Sequence, residues 1–284
     1  MSGERLAAAR GAVRDGVAAV ESFAQLLGSR RVGPRGIVRA LPEVKEGCET
    51  LRAALADLSE ALAEQLGGDV DAVDAARAVI AHASAEVARL EAELDGGDDP
   101  ARKGGRTKAP PERTIDARQR LALEGQVRRA SRELEGALLL LELLAASIDL
   151  RPTPLNLTDV LRERSSAVVR ALSATRVAVD CDDDCDNIDV DPRVMGGLLE
   201  IAVGMLGHTG VANPRISANR REDGRVAVVI GPQRGAAPPG RVELDLPLRD
   251  GGPRSRAVAS AVARRAGVEL AFPGTDEDAI TLVA

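Results

Sequence analysis

The chain has 284 residues, a formal net charge of −6 and an aromatic content of 1%, with no Trp and no Tyr. An acidic chain with two Phe offers neither a basic surface nor a stacking platform for bases, which argues against nucleic-acid binding. No apolar run approaches the ~20 residues of a membrane span, and the N-terminus lacks the apolar core of an export signal. We therefore expect a cytoplasmic protein with no membrane partner and with its three cysteines reduced.

Four helices are predicted in the first half, where apolar residues recur every three or four positions. The first covers residues 4–31. The second is predicted to begin near Pro42, because a first-turn proline loses no helical hydrogen bond, and to end before Gly67. Asp69 or Asp71 is placed to cap the third helix.

The fourth helix is predicted over residues 113–148, after a Gly- and Pro-rich loop or linker at 96–112. Near its end the sequence LLLLELL is apolar nearly all round, which is typical of a helix buried on several sides. A two-helix hairpin cannot cover that much apolar surface, so we expect a homodimer. The expected interface residues are Leu134, Leu138, Leu141 and Leu144.

Strands and helices alternate after Pro152, which predicts one α/β sandwich domain. Helices are predicted near 157–172, 192–206 and 254–266, and strands near 176–180, 215–219, 225–231, 241–248 and in the two segments that close the chain. The predicted fold class is α+β, with an N-terminal helical bundle or hairpin followed by the sandwich. The predicted domains are N-terminal helices at 1–95, the linker at 96–112, a dimerisation helix at 113–150 that packs with the N-terminal helices, and the sandwich at 151–284.

The region from about 138 to 284 resembles the ATP-binding domain of histidine kinases, which has the GHKL fold. The resemblance depends on the order of several motifs. IDVDPRVMGGLL at 188–199 is similar to the segment that opens the family's magnesium-site helix, and Gly251–Gly252 with the helix behind them are similar to its second glycine box. Gly267 matches the glycine before the penultimate strand. The resemblance implies a histidine-kinase-like protein with a dimerisation hairpin, similar to histidine phosphotransferases and pseudokinases.

The residues that bind ATP in that family are replaced here. Met205 stands where an Asn coordinates magnesium, and a thioether is a poor ligand for a cation that prefers oxygen donors. Gly231 stands where an Asp accepts the adenine amino group. The first glycine box keeps only Gly235, and the second keeps only Gly251 and Gly252. We therefore expect no cofactor and a degenerate ATPase domain.

His82 is the candidate phospho-acceptor, because the fourth helix carries no His. The segment AVIAHASAEVARL faintly resembles the family's histidine segment, but Ala85 stands at the acceptor position and Ala83 follows His82 where the family has an acid. Glu86, one turn away, is the nearest downstream carboxylate and is placed to hold the imidazole. A solvated or packed helix histidine is the simpler interpretation.

The acidic stretch at 180–191 suggests metal binding, but its pattern fits poorly. Asp182, Asp184 and Asp186 have calcium-loop spacing, yet the turn Gly and the bidentate Glu of such a loop are missing. Cys181 and Cys185 would supply only two of four zinc ligands. We expect no metal site and interpret the stretch as a solvated hairpin tip between two strands.

The sequence thus favours a non-catalytic, histidine-kinase-like adaptor in bacterial two-component signalling. It would dimerise through its helices and bind a receiver domain or a partner kinase. One alternative is a histidine phosphotransferase that relays phosphoryl groups through His82. A purely structural helical scaffold is the other.

Overall fold

The structure is a computed structural model that describes residues 2–95, 115–161, 178–182, 185, 188–208, 214–232, 253–272 and 280–284. The predicted linker at 96–112 and the predicted strand at 241–248 lie outside these residues. Within the described ranges, no helix is long and apolar enough to cross a membrane.

The four predicted helices are confirmed. They are α1 (Ser2–Gly28), α2 (Pro34–Leu66), α3 (Val70–Asp95) and α4 (Ala117–Ala146). Asp69 caps α3 by accepting a hydrogen bond from the amide of Ala72 at 3.1 Å.

The predicted start of α2 near Pro42 is wrong, since α2 begins at Pro34 and Pro42 lies inside it. Pro34 takes the first-turn position that the sequence argument had assigned to Pro42. The apolar face continues upstream through Ile37 and Leu41, which are buried, and this burial stabilises the two turns before Pro42.

A helical unit is formed by Met1–Gln65 with Arg77–Leu138. Polar contacts join its helices in the cyclic order α1–α2–α3–α4–α1, with neighbours antiparallel. These contacts are Arg5–Glu60, Lys45–Asp95, Arg52–Glu91 and His82–Glu133, and Arg120 closes the cycle by donating to the carbonyl of Leu27. The core between the helices is aliphatic, with Leu51, Leu55, Leu58 and Leu62 among its fully buried side chains.

The expected dimer seam on α4 requires a correction. Leu134, Leu141 and Leu144 are each 1% exposed or less within the single chain. Their surface is covered by the chain itself, so it is not available to a second copy. Of the four expected interface residues, only Leu138 keeps partial exposure.

The second unit, here called the sheet unit, comprises Leu66–Ala76 with Leu139–Ala284. Its strands are β1 (Thr153–Leu155), β2 (Ala178–Cys181), β3 (Ile188–Val190), β4 (Pro214–Arg220), β5 (Val226–Pro232), β6 (Glu269–Ala271) and β7 (Ile280–Val283). Its helices α5 (Pro192–His208) and α6 (Pro253–Arg265) match the predicted pair. The predicted helix near 157–172 begins at Leu157 and is described as far as Leu161.

Five of the described strands form a mixed sheet in the order β2–β4–β5–β7–β6. β2 runs parallel to β4, and the other neighbours in this sheet are antiparallel. α5 contacts β5, and α6 contacts both β6 and α5, so these helices and the sheet form two layers around a Val-, Leu- and Ile-rich core. The predicted α+β fold class is thereby confirmed.

The stretch at 180–191 is not a hairpin tip. β2 on one side of it pairs with β4, whereas β3 on the other side pairs with β1 in a separate two-stranded sheet. Cys185, inside the stretch, is fully buried, which a solvated tip would not allow. The prediction failed because an acidic, turn-rich stretch between two strands has the same sequence pattern whether or not those strands pair with each other.

Candidate functional site

His82 lies on α3 and is held by a carboxylate from α4. Its Nε2 is 3.1 Å from Oε2 of Glu133, and the two side chains are 21% and 29% exposed. The partner is therefore not Glu86, as the sequence suggested. Glu86 is nearly buried and forms an ion pair with Arg89 instead. Glu133 was missed because it is 51 residues from His82 and no local pattern links them.

A groove of about 180 Å³ lies between α3 and α4 in the helical unit. Leu90 and Ala130 form its apolar floor. Glu86, Arg89, Glu93, Gln126 and Arg129 form its walls and rim. Glu86 is one helical turn beyond His82 on α3, and Arg129 is about one turn before Glu133 on α4, so the groove adjoins the His82–Glu133 pair.

Charges of both signs surround this groove, and Glu93 on its rim is exposed, as is Arg129. The carboxylate of Glu86 is neutralised by Arg89, whereas Arg129 is exposed and makes no hydrogen bond or ion pair with any residue in the described ranges. Gln126, one turn before Ala130, is also exposed and adds amide donors and an acceptor to the rim. An apolar floor with an available guanidinium beside it suits an aliphatic or aromatic side chain that has a carboxylate nearby.

Of the positions that the sequence analysis assigned to altered ATP contacts, Gly231 and Met205 lie in described elements. Gly231 is buried on β5 and pairs with Arg215 of β4, so no acceptor side chain projects there to recognise an adenine amino group. Met205 lies on α5, where only its backbone is described. Gly235, Gly251 and Gly252 lie outside the described residues.

Asp191, at the entry to α5, has a structural role. Its side chain is 1% exposed and accepts hydrogen bonds from the amides of Arg151 (2.8 Å) and Arg193 (2.9 Å), and its Oδ2 is 2.6 Å from Nη2 of Arg193. Burial by itself raises the pKa of this carboxyl, but the hydrogen bonds from Arg193 and Arg151 outweigh burial and lower the pKa to about 2. Nη2 of Arg193 also donates to the carbonyl of Asp149 at 2.6 Å, so the group fastens the residues before β1 to α5.

The cysteines and the acidic stretch assemble no metal site in the part of the chain that is described. No group of three His, Cys, Asp or Glu side chains there is close enough to hold a metal ion. Asp184 and Asp186 of the calcium-loop pattern lie outside that part. Cys48, buried in α2, has its pKa raised to about 11 by burial, so its thiol is an unreactive core residue.

Comparison with protein-family models and with curated protein sequences finds no match. Comparison with solved structures finds similarity to histidine kinases. The Acinetobacter baumannii histidine kinase AdeS matches with a TM-score of 0.43 and 15% identity, over 70% of this chain and 92% of that one. A full-length structure of ShkA in complex with AMPPNP matches with a TM-score of 0.41 and 19% identity, over 60% of this chain.

The blue-light activated histidine kinase EL346 of Erythrobacter litoralis matches with a TM-score of 0.34 and 16% identity, over 75% of this chain. The matched part spans 39% of ShkA and 57% of EL346, so much of each of those proteins has no counterpart in the match. At these identities and TM-scores the likeness assigns no activity, ligand or partner to this chain.

Proposed function

We propose that this chain is a non-catalytic, histidine-kinase-like adaptor in two-component signalling. In this proposal the helical unit is a four-helix bundle that binds a receiver domain or a partner kinase in the groove between α3 and α4. The observation that carries it is the His82–Glu133 contact beside that groove. In that contact, the candidate phospho-acceptor of the sequence is partly buried and hydrogen-bonded beside the groove.

The altered nucleotide positions support the absence of kinase activity. Kinase chemistry requires bound ATP with its phosphates neutralised by magnesium. A glycine on a paired strand and a methionine on α5 provide neither an adenine acceptor nor a magnesium ligand. We therefore expect no binding when ATP with magnesium is titrated into the protein at millimolar concentration. Micromolar affinity in isothermal calorimetry would restore the kinase interpretation.

The arrangement of His82 supports docking over phosphotransfer. A phosphoryl group needs an accessible ring nitrogen with a free lone pair. Glu133 holds Nε2 of His82, so Nδ1 is the ring nitrogen left with a free lone pair, and both side chains are largely covered. The groove residues beyond them offer an apolar floor and a rim with charges of both signs, which are features of a binding surface.

The docking surface can be tested by filling the groove. Gln126→Trp places an indole over the floor formed by Leu90 and Ala130, so it should weaken partner binding at least about tenfold. The measurement is calorimetric binding to a panel of purified response-regulator receiver domains and kinase dimerisation domains. Gln25→Trp on the exposed surface of α1 is the matched control and should bind as the wild type does.

If a panel member binds Gln126→Trp as tightly as it binds the wild type, the groove is not the docking surface. If no panel member binds the wild type, the adaptor function is refuted and the structural scaffold remains.

Phosphotransfer through His82 is the second candidate function. The His82–Glu133 contact is the observation that favours it. A carboxylate bonded to one ring nitrogen can orient an imidazole so that the other nitrogen attacks a phosphoryl group. We expect His82→Ala to retain partner binding and biological activity, because a docking surface needs only the helix face.

An acid-labile label acquired from an acetyl-phosphate-charged receiver domain would favour the transferase instead. That label would have to disappear in His82→Ala and diminish in Glu133→Gln, whose amide cannot stabilise an imidazolium.

Self-association is also part of the proposal, but not through the buried leucines of α4. The surfaces available for it are the exposed faces of the helical unit.

A further inference from the structure

The outer face of α4 carries an exposed basic stripe. Arg118, Ala122, Gly125 and Arg129 follow one another at helical spacings of four, three and four residues, and all are exposed. Leu121 flanks them with 71% of its surface exposed, and Val70 is the only other large hydrophobic side chain so exposed in the described ranges. The small residues at the centre let another helix approach closely, and nothing lies within 4 Å of where a Cβ of Gly125 would be.

The outer face of α2 carries a stripe of opposite charge with the same spacing. Glu46, Thr50, Ala53 and Asp57 are all exposed and also follow one another at four, three and four residues. The Thr50 hydroxyl donates to the carbonyl of Glu46 in its own helix at 2.9 Å, so it requires no external partner. Neither carboxylate of this stripe forms an ion pair in the described part of the molecule, although Asp57 lies near Arg5 of α1, which is paired with Glu60.

The two stripes are complementary. In each, two like charges are separated by eleven residues, which is about 16 Å along a helix, with small residues between them. If the two stripes are laid side by side, the arginines of the α4 stripe face the carboxylates of the α2 stripe. The apolar and small residues of the α4 stripe then lie against Thr50 and Ala53.

One copy of the chain cannot bring these faces together. Polar contacts join α2 to α1 and α3, and α4 to α3 and α1, so α2 and α4 are at opposite corners of the helical unit. Their outer stripes therefore face away from each other. A second copy of the chain carries the complementary face.

We propose that copies of this chain associate head to tail, with α2 of one copy against α4 of the next. This contact uses two different surfaces, so it produces a ring or an open chain of copies and not a closed two-fold dimer. Because exposed charges set its register, the association weakens as salt is added.

Sedimentation velocity of the purified full chain tests the proposal at about 0.05 and about 0.5 M salt, between which exposed charges become strongly screened. The wild type should form concentration-dependent oligomers at the lower salt and dissociate at the higher. Arg118→Glu/Arg129→Glu makes both faces acidic, and Glu46→Lys/Asp57→Lys makes both faces basic. Each double variant alone should associate at least about tenfold more weakly than the wild type.

An equimolar mixture of the two double variants is the decisive sample. The acidic α2 face of the first variant then meets the basic α4 face of the second, and the reversed pair is complementary as well, so association should return. Asp15→Lys/Arg30→Glu, at exposed positions on α1 and in the turn after it, is the control and should behave as the wild type does. A monomeric wild type at low salt, or a mixture that stays monomeric while both variants are folded, would overturn the proposal.

Discussion

The helical unit and the sheet unit are stabilised in different ways. In the helical unit, repeated leucines and alanines form the core, and polar contacts such as Arg5–Glu60 lie at the surface between helices. In the sheet unit, individual contacts without a repeating pattern have a larger role, including the buried carboxylate of Asp191 and a close approach of α5 to Leu143. Substitutions at exposed positions around a periodic core should therefore change the free energy of unfolding little. A contact that does not repeat, such as that of Asp191, should lose stability when a single atom is changed.

The largest expected effect comes from placing a charge in the periodic core. Leu134 on α4 is 1% exposed, and Leu134→Asp would bury a carboxylate without a partner. We expect a loss of more than about 3 kcal/mol in the free energy of unfolding, or failure to fold. Urea denaturation followed by circular dichroism measures it. Leu121→Asp, on the same helix but 71% exposed, should leave stability unchanged. Similar losses in both variants would contradict the placement of the core.

Next in size is the removal of the charge on Asp191 in the sheet unit. Asp191→Asn keeps the shape but loses the charge-assisted bonds from Arg193 and Arg151, which should cost about 1–3 kcal/mol at neutral pH. Asp189→Asn, two residues away on β3 and exposed, is the matched control and should cost almost nothing.

The pH dependence of that difference follows from the pKa. Because the folded-state pKa of Asp191 is lowered to about 2, the stabilisation is complete above the usual aspartate pKa of about 4. It is lost as the pH falls through about 2, where the wild-type carboxyl also becomes neutral. The stability difference between wild type and Asp191→Asn should therefore be constant from neutral pH down to about 4 and shrink below it. A difference independent of pH would mean that the charge of Asp191 contributes little.

A smaller effect is expected where α5 meets the end of α4. A Cβ on Gly197 would lie 2.6 Å from Cδ1 of Leu143, so Gly197→Ala forces that side chain to move. We expect a loss of about 1–2 kcal/mol, which Leu143→Ala in the same chain should partly offset. Gly11→Ala is the control with the opposite sign. No atom lies within 4 Å of its Cβ position inside α1, so alanine should stabilise the helix by about 0.5–1 kcal/mol.

The sequence predicted the four helices and the alternating second half because periodicity and strand spacing are local properties. It misplaced the start of α2, because the burial of Ile37 and Leu41 depends on packing against other helices. Packing between helices also explains Leu141. The sequence predicted that a second copy covers this side chain, but the helices of the same chain cover it. The His82–Glu133 pair requires α3 and α4 to lie in a particular register, which no spacing within either helix determines.

The smallest expected effect concerns Arg120, which joins the start of α4 to the end of α1. Its guanidinium donates to the carbonyl of Leu27 (2.7 and 2.9 Å) and to those of Ser29 (2.5 Å) and Val32 (2.8 Å). These carbonyls lie at and just beyond the last turn of α1, where helical amides no longer reach them and a positive charge is favourable. Arg120→Lys keeps the charge, but a single ammonium cannot span the three carbonyls, so we expect a loss of about 0.5–1.5 kcal/mol. Arg128→Lys, whose ion pair with Glu124 lies on the surface of the same helix, should cost only a few tenths of a kcal/mol. Thermal unfolding of both variants separates the two cases, and equal melting temperatures would show that the planar guanidinium of Arg120 has no special role.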